Sequence, residues 1–232
     1  MSARGGRRER IVVLGIMGRT PFAGVTWQAL HYIEGFRRLG FDVSYVEDTG
    51  DWPYDAARNT ITDDERYTTQ YIARMMTWMK MADRWAYRSP VNDAVFGPLA
   101  GRLRRLFEEA DVLINVTASS VLRDEYLRVP VRIYLETDPV LPQILVAQDD
   151  KYMIDLLAAH THHRTFGENL GASDCGVPVG RFAYRATRQP IVLDWWQGLR
   201  VVAPDASSAS APFTTVSSWK QSGKDVEWEG EI

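Results

Sequence analysis

Short, mostly apolar runs recur along the chain at residues 11–14 (IVVL), 41–46 (FDVSYV), 111–116 (DVLINV), 131–135 (VRIYL) and, more weakly, 162–166 (HHRTF). Such runs suit the strands of a parallel sheet buried on both faces. Between them the apolar period lengthens to that of a helix. Ala29, Leu30, Ile33, Phe36 and Leu39 line one side of a predicted helix, with Gln28, Glu34, Arg37 and Arg38 on the other. Thr26 is expected to cap its start and Gly40 to end it. A second helix is expected from the capping-box spacing of Thr62 and Glu65 through Tyr67, Tyr71, Met75, Trp78, Ala82 and Trp85, stopping at Ser89 and Pro90. Further helices are expected from Pro98 to Glu109 and from about Gln143 to Ala159, while residues 49–61 have loop chemistry. Strands alternating with helices predict an α/β fold: a Rossmann-like, doubly wound, mostly parallel sheet with helices on both faces.

Composition narrows the class. With 45% hydrophobic and 25% charged residues and a net charge of -3, the chain is neither a disordered tail nor a polybasic nucleic-acid binder, so no nucleic-acid partner is expected. Arg4, Arg7, Arg8 and Arg10 ahead of an apolar stretch have the look of a secretory leader. Gly15 interrupts that stretch, and Gly-Arg-Thr-Pro follows in place of a small-residue cleavage site, so it reads as a buried strand. No apolar run approaches the roughly 18 residues of a membrane span, and no integral membrane segment is expected. The lone Cys175 excludes an internal disulfide and a thiol-rich metal site, and points to the cytoplasm. The expected organisation is a basic N-terminal arm at 1–9, a Rossmann-like domain at 10–204, a linker-like stretch at 205–212, and at 213–232 a tail strand or the start of a further domain.

In an open parallel sheet, ligands bind beyond the carboxyl ends of the strands. The polar clusters of this chain fall there: the loop from Gly15 to Gly24, Glu47 with Asp48, Asn115 with Thr117, Glu136 with Asp138, and Glu168 with Asn169. Gly15, Gly18 and Gly24 match neither the dinucleotide pattern G-x-G-x-x-G nor a phosphate loop, so the loop is either an anion cradle or a turn that needs glycine to leave its strand. Glu136 and Asp138, two apart near a strand end, share a face if the strand persists; alternatively Asp138, before Pro139, makes a turn. Glu47 or Asp48 stands where a carboxylate after a second strand grips a ribose, without the phosphate motif that accompanies one. His160 and His162 would share a strand face beside His163, but no acidic or thiol ligand lies at a familiar spacing, so no metal site is assigned. The aromatic stripe from Tyr67 is either core or a platform for sugar rings.

The run GIMGRTPFAGVTWQALHYIEGFRRLGFDVSYVED resembles the start of the N-terminal, acceptor-side domain of bacterial GT-B type glycosyltransferases, and LFEEADVLINVTASS, VPVRIYLETDP and FTTVSSWK fit the same layout, from about residue 10 to 220. The resemblance implies transfer of a sugar from a nucleotide-sugar donor to a hydroxyl-bearing acceptor. It turns Gly18, Arg19 and Gly24 toward the interdomain cleft, where Arg19 and helix-end amides would meet the leaving phosphate, with Gly15 a further binding candidate on the same loop. Position alone makes Asp138 and Glu136 candidates to contact the acceptor hydroxyl, and a carboxylate or a histidine, His162, would remove its proton. The second, nucleotide-sugar-binding domain of such enzymes has no counterpart in this sequence. An acceptor half is therefore implied, inactive without a C-terminal domain that supplies most donor contacts, and no cofactor is assigned. The alternatives are a stand-alone Rossmann-like nucleotide-binding enzyme and a non-catalytic module whose aromatic helix docks a partner.

Overall fold

The computed structural model describes residues 7–197 and 230 and divides into two units, 1–191 and 192–232. The expected linker at 205–212, the strand character at 213–219 and residues 1–6 of the basic arm lie outside the described residues.

The first unit contains β1 (Arg10–Leu14), α1 (Ala23–Arg38), β2 (Asp42–Glu47), β3 (Tyr54–Asp55), β4 (Thr60–Ile61), α2 (Arg66–Trp78), β5 (Trp85–Arg88) and β6 (Val95–Phe96). A 3-10 turn, Ala100–Arg102, leads into α3 (Leu103–Glu109). Then come β7 (Val112–Val116), α4 (Asp124–Leu127), β8 (Val131–Glu136), α5 (Leu141–Ala147), α6 (Lys151–Ala158), β9 (His162–Thr165) and β10 (Tyr184–Ala186). In the second unit, α7 (Asp194–Gln197) is described.

Eight strands form one sheet in the order β10-β9-β8-β7-β1-β2-β5-β6, and every neighbouring pair is parallel except β5 with β6. The parallel strands wind outward from β1 in both directions, which is the doubly wound, Rossmann-like order, with the topological switch between β1 and β7. The four strongest apolar runs are the four central strands, β2-β1-β7-β8. The order follows from burial: Ile11, Val12, Val13 and Leu14 are all within a few per cent of full burial, as a strand covered on both faces requires.

Side-chain alternation sets the two layers. Val12, Leu14, Val46, Ala86 and Leu113 share one face and pack against Leu103 and Phe107 of α3 and Tyr126 of α4. Farther out on this face, Tyr134 packs with Val146 of α5 and Leu157 of α6. The opposite face, carrying Val13, Tyr45 and Tyr87, lies under α1 and α2.

Helix ends differ from expectation in instructive ways. Gly40 ends α1 as expected, at φ +92, in a motif closed by Gly40 N–H to Arg37 O (3.0 Å) and Phe41 N–H to Phe36 O (3.2 Å), with the Phe36 and Phe41 rings 6.2 Å apart edge to face. Thr26 does not cap it: the cap position is Phe22, and Thr26 lies buried inside the helix with its hydroxyl 2.7 Å from that of Tyr71. The capping box at Thr62 and Glu65 does not form either, because the Glu65 carboxylate accepts from Ser89 Oγ. The second helix stops at Trp78, and Trp85 belongs to β5, where it pairs with Tyr45. An otherwise unpaired edge of β2 outweighs the continued helical spacing of Ala82 and Trp85. The expected helix from Gln143 to Ala159 is broken at Asp149 (φ 59), after which the Asp150 carboxylate caps α6 by accepting from Met153 N–H at 2.8 Å. The β3–β4 hairpin inside the 49–61 loop, and β10, had no clear sequence signal.

Candidate site at the carboxyl edge of the sheet

The glycine loop leaves β1 at Gly15 and is shaped by the protein's own groups. A Cβ on Gly15 would stand 2.9 Å from the Tyr45 ring, and one on Gly18 would stand 2.6 Å from both Ile72 and Thr68 of α2. The turn alternative thus has a concrete cause, close packing against β2 and α2. Glu47, fully buried at the end of β2, accepts hydrogen bonds from Gly18 N–H (2.9 Å), Arg19 N–H and Tyr45 Oη (2.7 Å). Burial pushes its carboxyl up to about 7, while those donors and the Arg19 charge hold it down. Two loop amides that a ligand phosphate would need are therefore already engaged by Glu47. Arg19 pairs with Asp51 at 3.0 Å, and its buried Nε lacks a hydrogen-bond partner. Gly24 is exposed in the first turn of α1, with open space around it, and α1 begins without a side-chain cap. Its first-turn amides are consequently open at the switch point.

Asp48 is also engaged. It accepts two hydrogen bonds from Arg123, at 2.7 and 3.2 Å, and one from Tyr126 Oη, with Arg88 3.3 Å away. This buried ion network ties β2 and β5 to the segment after β7, and leaves neither carboxylate of the Glu47–Asp48 pair turned outward.

A second polar ladder runs under α5 and α6. Register puts Asn115 of β7, Tyr134 of β8, His163 of β9 and Tyr184 of β10 side by side on one face, and Glu136 beside Thr165 one step nearer the carboxyl edge. Asn115 donates to Ser120 O (2.8 Å), accepts from Ser119 Oγ and Ser120 N–H, and meets His160 Nε2 at 3.1 Å; His160 Nδ1 is 2.9 Å from Leu156 O. With Asn115 donating to Nε2 and Nδ1–H donating to the carbonyl, His160 is a neutral tautomer, and burial brings its pKa down to about 4. His163 Nε2 is likewise bound to Leu157 O at 3.0 Å. His160 and His163 are core groups, and His160 precedes β9 instead of sharing its face with His162.

Glu136 is 1% exposed and accepts from Gln143 Nε2 (2.7 Å), Thr165 Oγ1 and Tyr134 Oη (3.4 Å). Burial raises its pKa against those three donors. Gln143 also accepts from Val140 N–H at 2.7 Å, and so fixes the loop after β8 to the buried carboxylate. Asp138 lies on that loop, exposed, with no hydrogen bond or ion pair among the described residues. Of the four carboxylates read from the sequence at the ends of β2 and β8, Asp138 is the one turned outward. His162 is not brought to it: as the first residue of β9 it pairs with Ile133, three rungs or roughly 10 Å back from the Glu136–Thr165 pair. β1 and β8 are separated by β7 alone, so the ends carrying Gly15 and Glu136 are about two strand spacings, roughly 10 Å, apart.

Backbone strain collects at this edge. Thr117 (φ 59) and Ala118 (φ 52) form a tight turn after β7, closed by Ser119 N–H to Val116 O at 3.0 Å. Val140 sits at φ 94, ψ -62, a γ-turn geometry that a β-branched residue rarely adopts. Each such residue costs of order 1–3 kcal/mol, and strain of this kind concentrates at ligand-binding and switch segments. Neither Val140 nor the Thr117–Ala118 turn was visible in the sequence, because neither contains a glycine to mark it. Among the described residues no group of three or more His, Cys, Asp or Glu side chains is arranged to hold a metal ion, and no helix is long and apolar enough to cross a membrane. Compared with protein-family profiles, curated proteins and solved structures, the chain matches none of them.

Proposed function

We propose that this chain is the acceptor-side Rossmann-like domain of a GT-B type glycosyltransferase, acting in the cytoplasm on a hydroxyl-bearing acceptor. The observation that carries the reading is Asp138: a free carboxylate on a strained loop at the carboxyl edge, two strands from the open N-terminus of α1. A base must have an unengaged oxygen within reach of the proton it removes, and Asp138 alone meets that condition among Glu47, Asp48, Glu136 and Asp138. In this reading Asp138 takes the proton of the acceptor hydroxyl. Glu136, held by Gln143 and Thr165, positions the loop. The first-turn amides of α1, with Arg19, face the leaving phosphate of a nucleotide-sugar donor held mainly by another domain.

The stand-alone nucleotide-binding alternative is less well supported. The carboxylate that would grip a ribose after β2 is turned inward onto the glycine loop. Thermal unfolding of the purified chain with methyl glycosides, and separately with UDP, GDP and dTDP, tests the choice. Stabilisation by a glycoside that Asp138→Asn weakens, with little response to nucleotide, is expected. Strong stabilisation by a nucleotide alone would move the assignment to a nucleotide-binding enzyme, and no response to either would favour a partner-binding module.

A further inference from the structure

The opposite, amino edge of the sheet carries a cavity of about 400 Å³. Arg10 pairs with Asp42 and Val12 with Ser44 in the β1–β2 register, so alternation sends all four side chains to the face roofed by the 3-10 turn and α3. Farther along the strands this face is apolar, as a helix-covered face should be: Leu14 and Val46 occupy the last shared rung. On the first rungs Arg10, Asp42 and Ser44 replace that pattern. Ser44 is 3% exposed and lines the cavity, and its hydroxyl makes no hydrogen bond to a described residue. Its oxygen faces the cavity, where it can donate to or accept from whatever fills it.

The cavity wall carries four guanidinium groups, from Arg10, Arg84, Arg102 and Arg105, against the three carboxylates of Asp42, Asp83 and Glu109, a surplus of one positive charge. Arg10 is shared between Glu109 and Asp42, Arg84 lies on Asp42 and Asp83, and Arg105 lies on Glu109. Arg102 has no ion pair among the described residues. Val12, Leu99 and Leu106 supply an apolar floor and roof. The lining is thus mostly charged, with an apolar strip on one side, and the volume is at the lower end of that of small-ligand pockets.

We infer that this cavity binds a small organic carboxylate. The carboxylate meets Arg102, a compact apolar body rests on Val12, Leu99 and Leu106, and an atom of the ligand hydrogen-bonds Ser44. One negative charge balances the wall. A phosphate monoester, carrying close to two at neutral pH, overfills it.

Benzoate is the probe, with benzamide as its neutral isostere and phenyl phosphate as the more highly charged analogue, and binding is followed by backbone-amide NMR and thermal unfolding. Benzoate should bind at millimolar concentration, shift amides of residues 10–12, 42–44 and 99–106, and exceed both analogues by about tenfold in affinity. Arg102→Gln, a change at an exposed position, should weaken benzoate by about tenfold. Leu106→Trp, which fills the cavity, should abolish binding. The proposal is overturned if benzoate does not bind at millimolar concentration, binds no better than benzamide, binds Arg102→Gln as well as the parent, or shifts only amides of the carboxyl edge.

Discussion

At the scale of single residues, buried titratable groups make stability depend on pH in two opposing ways. His160 has its pKa lowered to about 4 by burial, below the ordinary 6.5. Its contribution is complete above pH 6.5 and is lost as pH falls toward 4, where the unfolded chain takes up a proton that the folded chain refuses; the full effect is on the order of 3 kcal/mol. Glu47 runs the other way. Its pKa is raised from 4.5 to about 7, so its contribution is complete below pH 4.5 and is lost as pH rises to about 7. Urea midpoints measured between pH 4 and 8 should show both: His160→Gln flattens the acid limb, and Glu47→Gln removes a decline toward neutrality. A Glu47→Gln profile parallel to that of the parent would show that the carboxylate is not strained by burial. Gly18→Ala should destabilise by about 1–3 kcal/mol, since its Cβ would overlap Ile72 and Thr68, and a neutral result in the same titration would mean that α2 shifts freely. The sequence showed Glu47, Asp48, Glu136 and Asp138 as equals at strand ends. It could not show which face outward, because that depends on donors up to 78 residues away, such as Tyr126 on Asp48.

At the scale of elements, the loop from β8 to α5 combines a buried anchor with a strained turn. Gln143 bridges Glu136 and the Val140 N–H, which holds Val140 at positive φ. Val140→Gly releases that strain at the expense of backbone entropy, and should raise stability by about 1 kcal/mol while weakening glycoside binding. Unchanged stability together with unchanged binding would remove the link between the strained turn and the site. The central strands were legible because each is almost wholly apolar over four or more residues, and α1 because its period and Gly40 agree. β5 was not: Trp85 continues the helical spacing of Trp78 and Ala82, and only pairing with β2 decides its conformation. The break between α5 and α6 was hidden because Asp149 adopts positive φ without being glycine.

At the scale of the whole sheet, the winding order places the switch between β1 and β7 and separates two regions of different chemistry, a carboxyl edge that carries Asp138 and an amino-edge cavity rimmed by arginines. The alternation of strand and helix patterns disclosed that the central strands are parallel and belong to one doubly wound sheet, while their order comes from the structure. That alternation gave no hint of the amino-edge cavity, whose walls come from three strand starts and α3 and share no local motif. In the proposed reading, the purified chain does not turn over nucleotide sugars by itself. Orientation of donor against acceptor, an effect worth roughly 7–11 kcal/mol, needs the wall that a donor domain supplies. Multiple-turnover nucleotide release with a defined acceptor would show a complete active site within these 232 residues. The most direct test of the acceptor-site assignment is a backbone-amide NMR titration of the chain with methyl glycosides. The expected result is saturable shifts at residues 117–120 and 137–141, diminished in Asp138→Asn. Shifts confined to other regions, or an Asp138→Asn titration identical to that of the parent, would contradict the assignment of the site to the carboxyl edge.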